Sequence, residues 1–419
     1  PTPKRIAILN KTADLVEAQA EEFARQSAEE GGKPLIDSQI ELARAVQGIR
    51  EAANSIGQLT GHEIPMNLTT SSMNRMAFTT REPVGVVAAV SAFNHPFNLI
   101  VHQVIPGVAV GCPVIVKPAL ITPLSCLNLV NCLYEAGLPK EWVQVAICEN
   151  SLAEKIVTDP RVSFLTFIGS GKVGWGLRSK LAPGARCALE HGGAAPVIVE
   201  ADADIDDALV LLAKGGFYHA GQVCVSVQRV FVHEDIVEEF SRKLADIAGK
   251  LVVGDPVDEK TEVGPLIQER EVERIHKWVE EAKAGGGKIL TGGKKIGKTC
   301  YEPTVIINPP YDANVSQCEI FGPVINIYSY KNRADAIRLA NDVPFSFQAA
   351  VFTSDINAAL QSAKDLNAAA VMINDHTAFR VDWMPFAGRK SSGLGVGGIL
   401  PTMIEMTEEK LIVFRSKLI

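Results

Sequence analysis

From Val84 onward, short apolar runs bounded by glycine and proline alternate with stretches of helical periodicity. The runs are VGVVAAV, PVIVK, WVQVAI and FLTFIG, and the spacing between them predicts helices over 99–109, 123–136 and 151–158. Strands without polar alternation are buried on both faces, and strands interleaved with helices come parallel. A second set follows: APVIVE, a helix over 205–219, RVFVH, a helix over 236–247, then PVINIYSY, QAAVFTS and AAVMIND. The chain therefore reads as two α/β halves, as its 419 residues also suggest, since they exceed what one hydrophobic core usually fills. The join falls near Gly192 and Gly193, glycines that relax the backbone where a chain passes between domains. A functional cleft is expected between the halves.

Ahead of this rhythm, Ile36, Ile40, Ala43, Val46, Ile49, Ala53 and Ile56 recur at helical spacing, so the first sixty residues read as amphipathic packing helices. Residues 62–82 (HEIPMNLTTSSMNRMAFTTRE) alternate roughly and are rich in Thr, Ser and Met, the pattern of an exposed or partner-paired strand. The C-terminal LIVFRSKLI is a β-prone run at a chain end, whose edge invites pairing with another element or another subunit. Segment 62–82 is the companion expected to meet it across a subunit boundary.

Composition narrows the ligand. A net charge of −7 without a Lys/Arg block argues against nucleic acid or an anionic membrane as partner, and no apolar stretch nears the roughly 18 residues of a membrane span. Small molecules remain. The eight cysteines include no CxxC pair and no Cys/His spacing suited to zinc, so free thiols, no metal and a reducing, cytoplasmic compartment are expected. The N-terminal PTPKRIAILN has no apolar core of a secretory signal.

Two features carry chemistry. GSGKVG (169–174) follows an apolar run and matches G-x-G-x-x-G, with Glu190 about where a ribose-binding acid would sit. Such turns also serve as plain connections, and LEHGG sets Glu190 before two glycines and a new strand, where it would face a catalytic cleft. Cys224, in HAGQVCVS, occupies a turn between a helix and a strand, where reactive groups are often presented. A buried inert thiol is the other reading of a single cysteine.

SAFNHP, IVKPA, FIGSGKVG, LEHGG, GQVC, EIFGPV and PFAGRKSSG, in this order, resemble the aldehyde dehydrogenase superfamily from about Lys4 to the C-terminus. The resemblance implies an α/β, aldehyde dehydrogenase-like fold: a Rossmann-type cofactor domain (1–61 and 83–192), a second α/β catalytic domain (193–402), and a small β oligomerisation element (62–82 and 403–419). It implies oxidation of an aldehyde to its acid with NAD, or NADP, by a homodimer or homotetramer. Cys224 is then the nucleophile, because a thiolate makes the carbonyl carbon tetrahedral and leaves a thioester that water can cleave. The Asn94 amide and the Cys224 N–H are implied as oxyanion donors, and Glu190 as the base for the hydrolytic water. Lys117, with Ala119 and Leu120, is implied at the adenosine ribose; Gly169, Ser170 and Gly174 at the pyrophosphate; Glu319 at the nicotinamide ribose; and Phe93 and Phe321 at the nicotinamide. Glu190 also borders the cofactor.

Three departures stand out. Leu120 replaces the glutamate that repels a 2′-phosphate in many NAD-specific relatives, which admits NADP; His191 replaces the leucine of ELGG, and Ala387 the first glycine of FGG. The chain also lacks the first few tens of residues that most relatives have. His95 and His102 imply a polar substrate tunnel, walled further by Val223, Val225, Phe379 and Phe386. In the tunnel-mouth loop 374–386, Arg380 either holds an anionic tail by bidentate contact or sits on the surface paired with Asp382. The nearest relatives suggested are those acting on short hydroxylated or anionic aldehydes such as lactaldehyde or semialdehydes. Two other readings are a CoA-acylating relative, which commonly lacks a glutamate where Glu190 stands, and a silent scaffold, which loss of Cys224 or Asn94 would have marked.

Overall fold

The first sixty residues of the computed structural model, which describes residues 1–418, form three helices: α1 (Thr2–Ala18), α2 (Ala20–Gly31) and α3 (Leu35–Ser55). Leu42, Val46, Ile49 and Ala53 of α3 are buried as the periodicity requires, but Ile36 and Ile40 are each 51% exposed. Their place inside is taken by Asp37, Ser38 and Glu41, all buried. Hydropathy cannot recognise an inner stripe whose polar groups are paired across the interface.

After β1 (Glu63–Ile64) and β2 (Arg75–Pro83), the expected companion of β2 does arrive, but from the same chain. The C-terminal strand Thr407–Arg415 pairs antiparallel with β2 from Pro83↔Thr407 to Arg75↔Arg415, which corrects the expectation of pairing across a subunit boundary. The reason is local: the Val84 amide donates to the Met406 carbonyl at 3.1 Å, so both strands leave from one point. The C-terminal strand remains an edge of its three-stranded sheet, with Leu411, Val413 and Phe414 exposed; Ile419 lies outside the described residues.

The apolar runs build the first parallel sheet: β3 (Val86–Val90), β4 (Val114–Lys117), β5 (Val143–Val145), β6 (Val162–Ile168) and β7 (Arg186–Glu190). Its crossovers are α4 (Asn98–Val110), α5 (Leu124–Glu135), α6 (Asn150–Val157) and α7 (Gly171–Arg178). The spatial order β7-β6-β3-β4-β5 means that the chain steps outward twice from β3 and then reappears on its other side. This is the Rossmann order, and the reversal opens a crevice beyond the carboxyl ends of the strands. Asn94, Lys117, Gly169 and Glu190 all stand at such ends.

A seven-stranded sheet starts with β8 (Ala195–Val199), α8 (Ile205–Phe217) and β9 (Val227–His233). It adds Thr304–Ile307, Val324–Tyr330, Gln348–Phe352 and Ala370–Ile373 in parallel, with the antiparallel strand Lys288–Thr291 at one edge. The chain crosses back before residue 402: Gly393–Leu394 pairs with β7, and Ile399 and Met403 join the core beneath α3 and α4. These residues thus lie on the first sheet and not on the second half. Among the described residues, no helix is long and apolar enough to cross a membrane.

Candidate active site

A cavity of about 1200 Å³ brings together Asn94, Lys117, Glu190, Cys224, Glu319 and Arg380, residues drawn from both halves. Phe93, His95, His102, Ala119, Leu120, Gly169, Ser170, Val223, Val225, Phe321 and Phe386 line it as well. Two expected residues do not. Phe379 points outward, 41% exposed, because adjacent loop residues face opposite ways and Arg380 takes the inner side. Gly174 lies under the cofactor turn, where a Cβ would strike the rings of His191 and Phe167. Its smallness lets α7 approach the sheet; it makes no cleft wall.

The turn that leads to Cys224 is strained and tied down. His219 and Ala220 are left-handed (φ 49° and 53°), as is Gly221 (φ 67°), a conformation costing non-glycine residues about 1–3 kcal/mol each unless surroundings enforce it. Gln222 is the anchor. Its carbonyl accepts the Asn94 side-chain amide at 2.9 Å, its own amide donates to the Pro265 carbonyl at 3.2 Å, and its Oε1 accepts the Ile267 N–H at 2.9 Å. The next residues, Val223 and Val225, are buried against Phe347 and Phe386 on either side of Cys224. Burial pushes the Cys224 thiol up to about 12, with Arg380 opposing and the carboxylates of Glu319 and Glu190 adding to the rise. A thiol so placed must lose its proton before it attacks. Glu190 lies at the end of β7, its carboxyl also raised by burial, which makes it a stronger base than an exposed glutamate.

At the tunnel end, Asp382 is the hub, and sequence reasoning missed its main partner. Arg44 binds it through two nitrogens at 3.1 and 2.9 Å, Asn98 donates at 3.0 Å, and His102 Nε2 donates at 2.7 Å. Despite burial, the hydrogen bond from His102 and the charge of Arg44 hold Asp382 far below the usual carboxylate range. His102, lowered to about 4 by burial and by Arg380, stays neutral and turns Nδ1 toward Arg380 Nη2 at 3.4 Å. Arg380 is therefore no surface partner of Asp382. It is half-buried, lies 3.6 Å above the Phe386 ring, and its Nε has no hydrogen-bond partner.

The opposite arm suits a dinucleotide. Lys117 is buried at the end of β4, and its ammonium, which can make three hydrogen bonds, donates to the Pro118 carbonyl at 3.2 Å. Glu319 Oε1 is buried without a partner, its carboxyl pushed up to about 8 by burial, and Gly192 leaves the space it fills. An orphaned carboxyl of this kind fits the paired hydroxyls of a ribose. Between them, His191 donates from Nδ1 to the Gly169 carbonyl at 2.8 Å, so the unusual histidine braces the glycine turn.

The model of the aldehyde dehydrogenase family matches residues 1–412. The chain is 41% identical over 411 residues to a 3-sulfolactaldehyde dehydrogenase of Priestia aryabhattai, covering 98% of this chain and 86% of that protein. It superposes on aldehyde dehydrogenase 21 of Physcomitrella patens, solved with its product succinate, with a TM-score of 0.96 at 36% identity, covering 99% of this chain and 86% of the other. A glyceraldehyde-3-phosphate dehydrogenase of Methanocaldococcus jannaschii, solved with NADP, gives a TM-score of 0.95 at 36% identity over 99% of this chain and 90% of that one.

Proposed function

The chain belongs to the aldehyde dehydrogenase family and is an NAD(P)-dependent enzyme of that kind, and from this we infer that Cys224 attacks the aldehyde carbon, helped by Asn94, and that Glu190 acts afterwards on water. The thiol loses its proton to solvent water, its sulfur bonds to the carbonyl carbon as the C=O π pair moves onto oxygen, and that oxygen becomes an oxyanion. The free N–H of the Asn94 amide and the Cys224 backbone N–H receive that charge. A bound nicotinamide dinucleotide supplies the hydride acceptor that turns this adduct into a thioester. Glu190 then takes a proton from water, the water oxygen bonds to the acyl carbon, and the carbon–sulfur bond breaks to release the acid and the thiol. Lys117, Ala119 and Leu120 would hold the adenosine end, Gly169 and Ser170 the pyrophosphate, Glu319 the nicotinamide ribose, and Phe93 and Phe321 the ring.

The substrate is a short aldehyde with an anionic tail. One observation carries this reading: Arg380 reaches into the cavity beside Arg44 with an unpartnered Nε, while Asp382 is already bound by Arg44, Asn98 and His102, and Glu190, whose charge it feels most, makes no ion pair with it. A desolvated guanidinium wants a carboxylate, sulfonate or phosphate. The names of the relatives, a sulfolactaldehyde dehydrogenase and an enzyme holding succinate, are in keeping with it. The first sheet would be the cofactor domain, the second the catalytic domain, and the exposed strand edge 407–415 a contact between subunits of a cytoplasmic homodimer or homotetramer.

The test is a panel of short aldehydes differing only in the tail (carboxylate, sulfonate, phosphate, hydroxyl, methyl), compared by kcat/KM in the wild type and in Arg380→Leu. A charge-assisted pair is worth about 1.5–3 kcal/mol, so anionic tails should be preferred by roughly 10- to 100-fold and the substitution should erase that preference. Equal turnover of neutral and anionic tails by the wild type would overturn the reading.

A further inference from the structure

One face of α3 touches three of the segments from which the site is assembled: the turn before Cys224, the start of α4 and the loop that carries Arg380. Asp37, Glu41 and Arg44 are four and three residues apart, so they stand in a row along the helix. Asp37 accepts the His219 amide at 3.3 Å and Lys214 Nζ at 2.6 Å, at the foot of the strained turn leading to Cys224. Glu41 Oε1 accepts the amides of Phe97 at 3.0 Å and Asn98 at 2.8 Å, at the first turn of the helix that follows Asn94. Arg44 grips Asp382, two residues beyond Arg380.

Glu41 is the most telling of the three. The helix α4 has no side-chain cap of its own, with Phe97 at its N-cap, and Pro96 before that has no N–H to give. A buried helix start needs an acceptor, and a carboxylate also meets the positive end of the helix dipole. Glu41 supplies both from a different helix. Its second oxygen is held by Lys33 Nζ at 2.8 Å, and the two side chains are 2% and 0% exposed. Sealing an ion pair costs the hydration of both ions, and an apolar pair of like size is often as stable or more so. Stability therefore gives little reason for this pair, whereas fixing the start of α4 does. Asn94 lies three residues ahead of Phe97, and an oxyanion donor works only when held where the charge appears.

We propose that Glu41, held by Lys33, is a positioning residue for Asn94, and that α3 sets the mutual placement of oxyanion donor, nucleophile turn and tunnel arginine. This rests on the reading of Asn94 as the donor. On an ester without an anionic tail, which makes no use of Arg380 and Asp382, the effect of Glu41 should pass through Asn94, so it should vanish when Asn94 is absent.

Acylation of Cys224 by 4-nitrophenyl acetate isolates the step: the thiolate displaces nitrophenolate through an oxyanion, with no hydride transfer. Two double variants avoid leaving a buried charge unpaired: Lys33→Met/Glu41→Leu, which removes the acceptor, and Lys33→Met/Glu41→Gln, which keeps an acceptor oxygen. The leucine pair should slow acylation by about 10- to 100-fold with ester KM and dinucleotide Kd within about twofold. The glutamine pair should return to within about threefold of wild type. In an Asn94→Ala background the leucine pair should cost less than about twofold more. Should the leucine pair not fold, Lys33→Met/Glu41→Met, which also removes the acceptor while keeping the length of both side chains, replaces it with the same expected loss and the same coupling to Asn94. Additive losses in the Asn94→Ala background, or no recovery with glutamine, overturn the proposal while leaving Asn94 as donor. Wild-type acylation by Asn94→Ala alone removes the donor assignment itself and the proposal with it.

Discussion

Asn94 donates its side-chain amide to the carbonyl of Gln222 at 2.9 Å, which joins the end of the first sheet to the turn two residues before Cys224. The amide has two N–H groups, so with one fixing the turn the other is free to donate. Asn94→Ala should lower kcat by about 10²–10³, as loss of an oxyanion donor does elsewhere, with dinucleotide Kd unchanged. Loss of dinucleotide binding in step with kcat would show that Asn94 is structural.

Glu190→Gln separates the two halves of the reaction. Hydride transfer precedes hydrolysis, so a pre-steady-state burst of reduced cofactor should persist while the steady rate falls by at least about 10². Stopped-flow absorbance at 340 nm reads both phases. A folded, cofactor-binding variant without a burst would move Glu190 to the earlier step.

The pH dependence of the free thiol follows from its burial. With Cys224 pushed up to about 12, the thiolate is scarce at neutral pH and grows as pH rises toward that value. Alkylation by iodoacetamide in cofactor-free enzyme, with Cys224→Ala as blank, should climb close to tenfold per pH unit between about 7 and 9 without levelling. Arg380 opposes the rise, so Arg380→Leu should slow alkylation throughout. A plateau below pH 8 would mean that a neighbour stabilises the thiolate already.

The sequence made some of this legible and hid the rest for physical reasons. That Cys224, Glu190 and Asn94 share one cleft could be read because each sits in a short motif beside glycine or proline, where local backbone needs leave a recognisable pattern. The strand runs could be read because burial on both faces leaves no polar residue to blur them. Arg44 and Asp382 could not, since their bond spans 338 residues of chain and neither position has a local signature. Glu41, with partners 56 and 57 residues away, sat in what looked like the polar stripe of a packing helix, and Ile36 and Ile40 drew the core to the wrong side. The Rossmann motif was misleading at Gly174, which serves helix packing and does not line the cleft.

The strand edge offers a test of assembly. Leu411 and Val413, 57% and 50% exposed, share one face of the C-terminal strand, whose inner edge is already satisfied by β2. Leu411→Lys/Val413→Lys should leave that pairing in place and discourage a second copy from docking, as charges on edge strands do. Sedimentation velocity should report a smaller species with an unchanged melting curve. An unaltered sedimentation coefficient would locate the subunit contact elsewhere.

Leu120 is the position at which to test cofactor choice. It lines the cavity 42% exposed, three residues beyond Lys117, whose buried ammonium faces the same arm. If the adenosine ribose lies there, a carboxylate at residue 120 would accept hydrogen bonds from the 2′- and 3′-hydroxyls of NAD, yet meet the 2′-phosphate of NADP with like charge. Leu120→Glu should therefore raise the NAD/NADP preference mainly by weakening NADP, since discrimination comes as much from repulsion as from attraction. At a partly exposed site with an effective dielectric near 20, and beyond contact distance, the repulsion is on the order of 1–3 kcal/mol. That corresponds to a change of roughly tenfold or more in the ratio of kcat/KM for the two cofactors at fixed ionic strength. Fluorescence titration of each dinucleotide without substrate should show the same change in Kd. A ratio that moves by less than about twofold, under roughly 0.5 kcal/mol, would mean that residue 120 does not face the ribose and that the adenosine end lies elsewhere in the cleft.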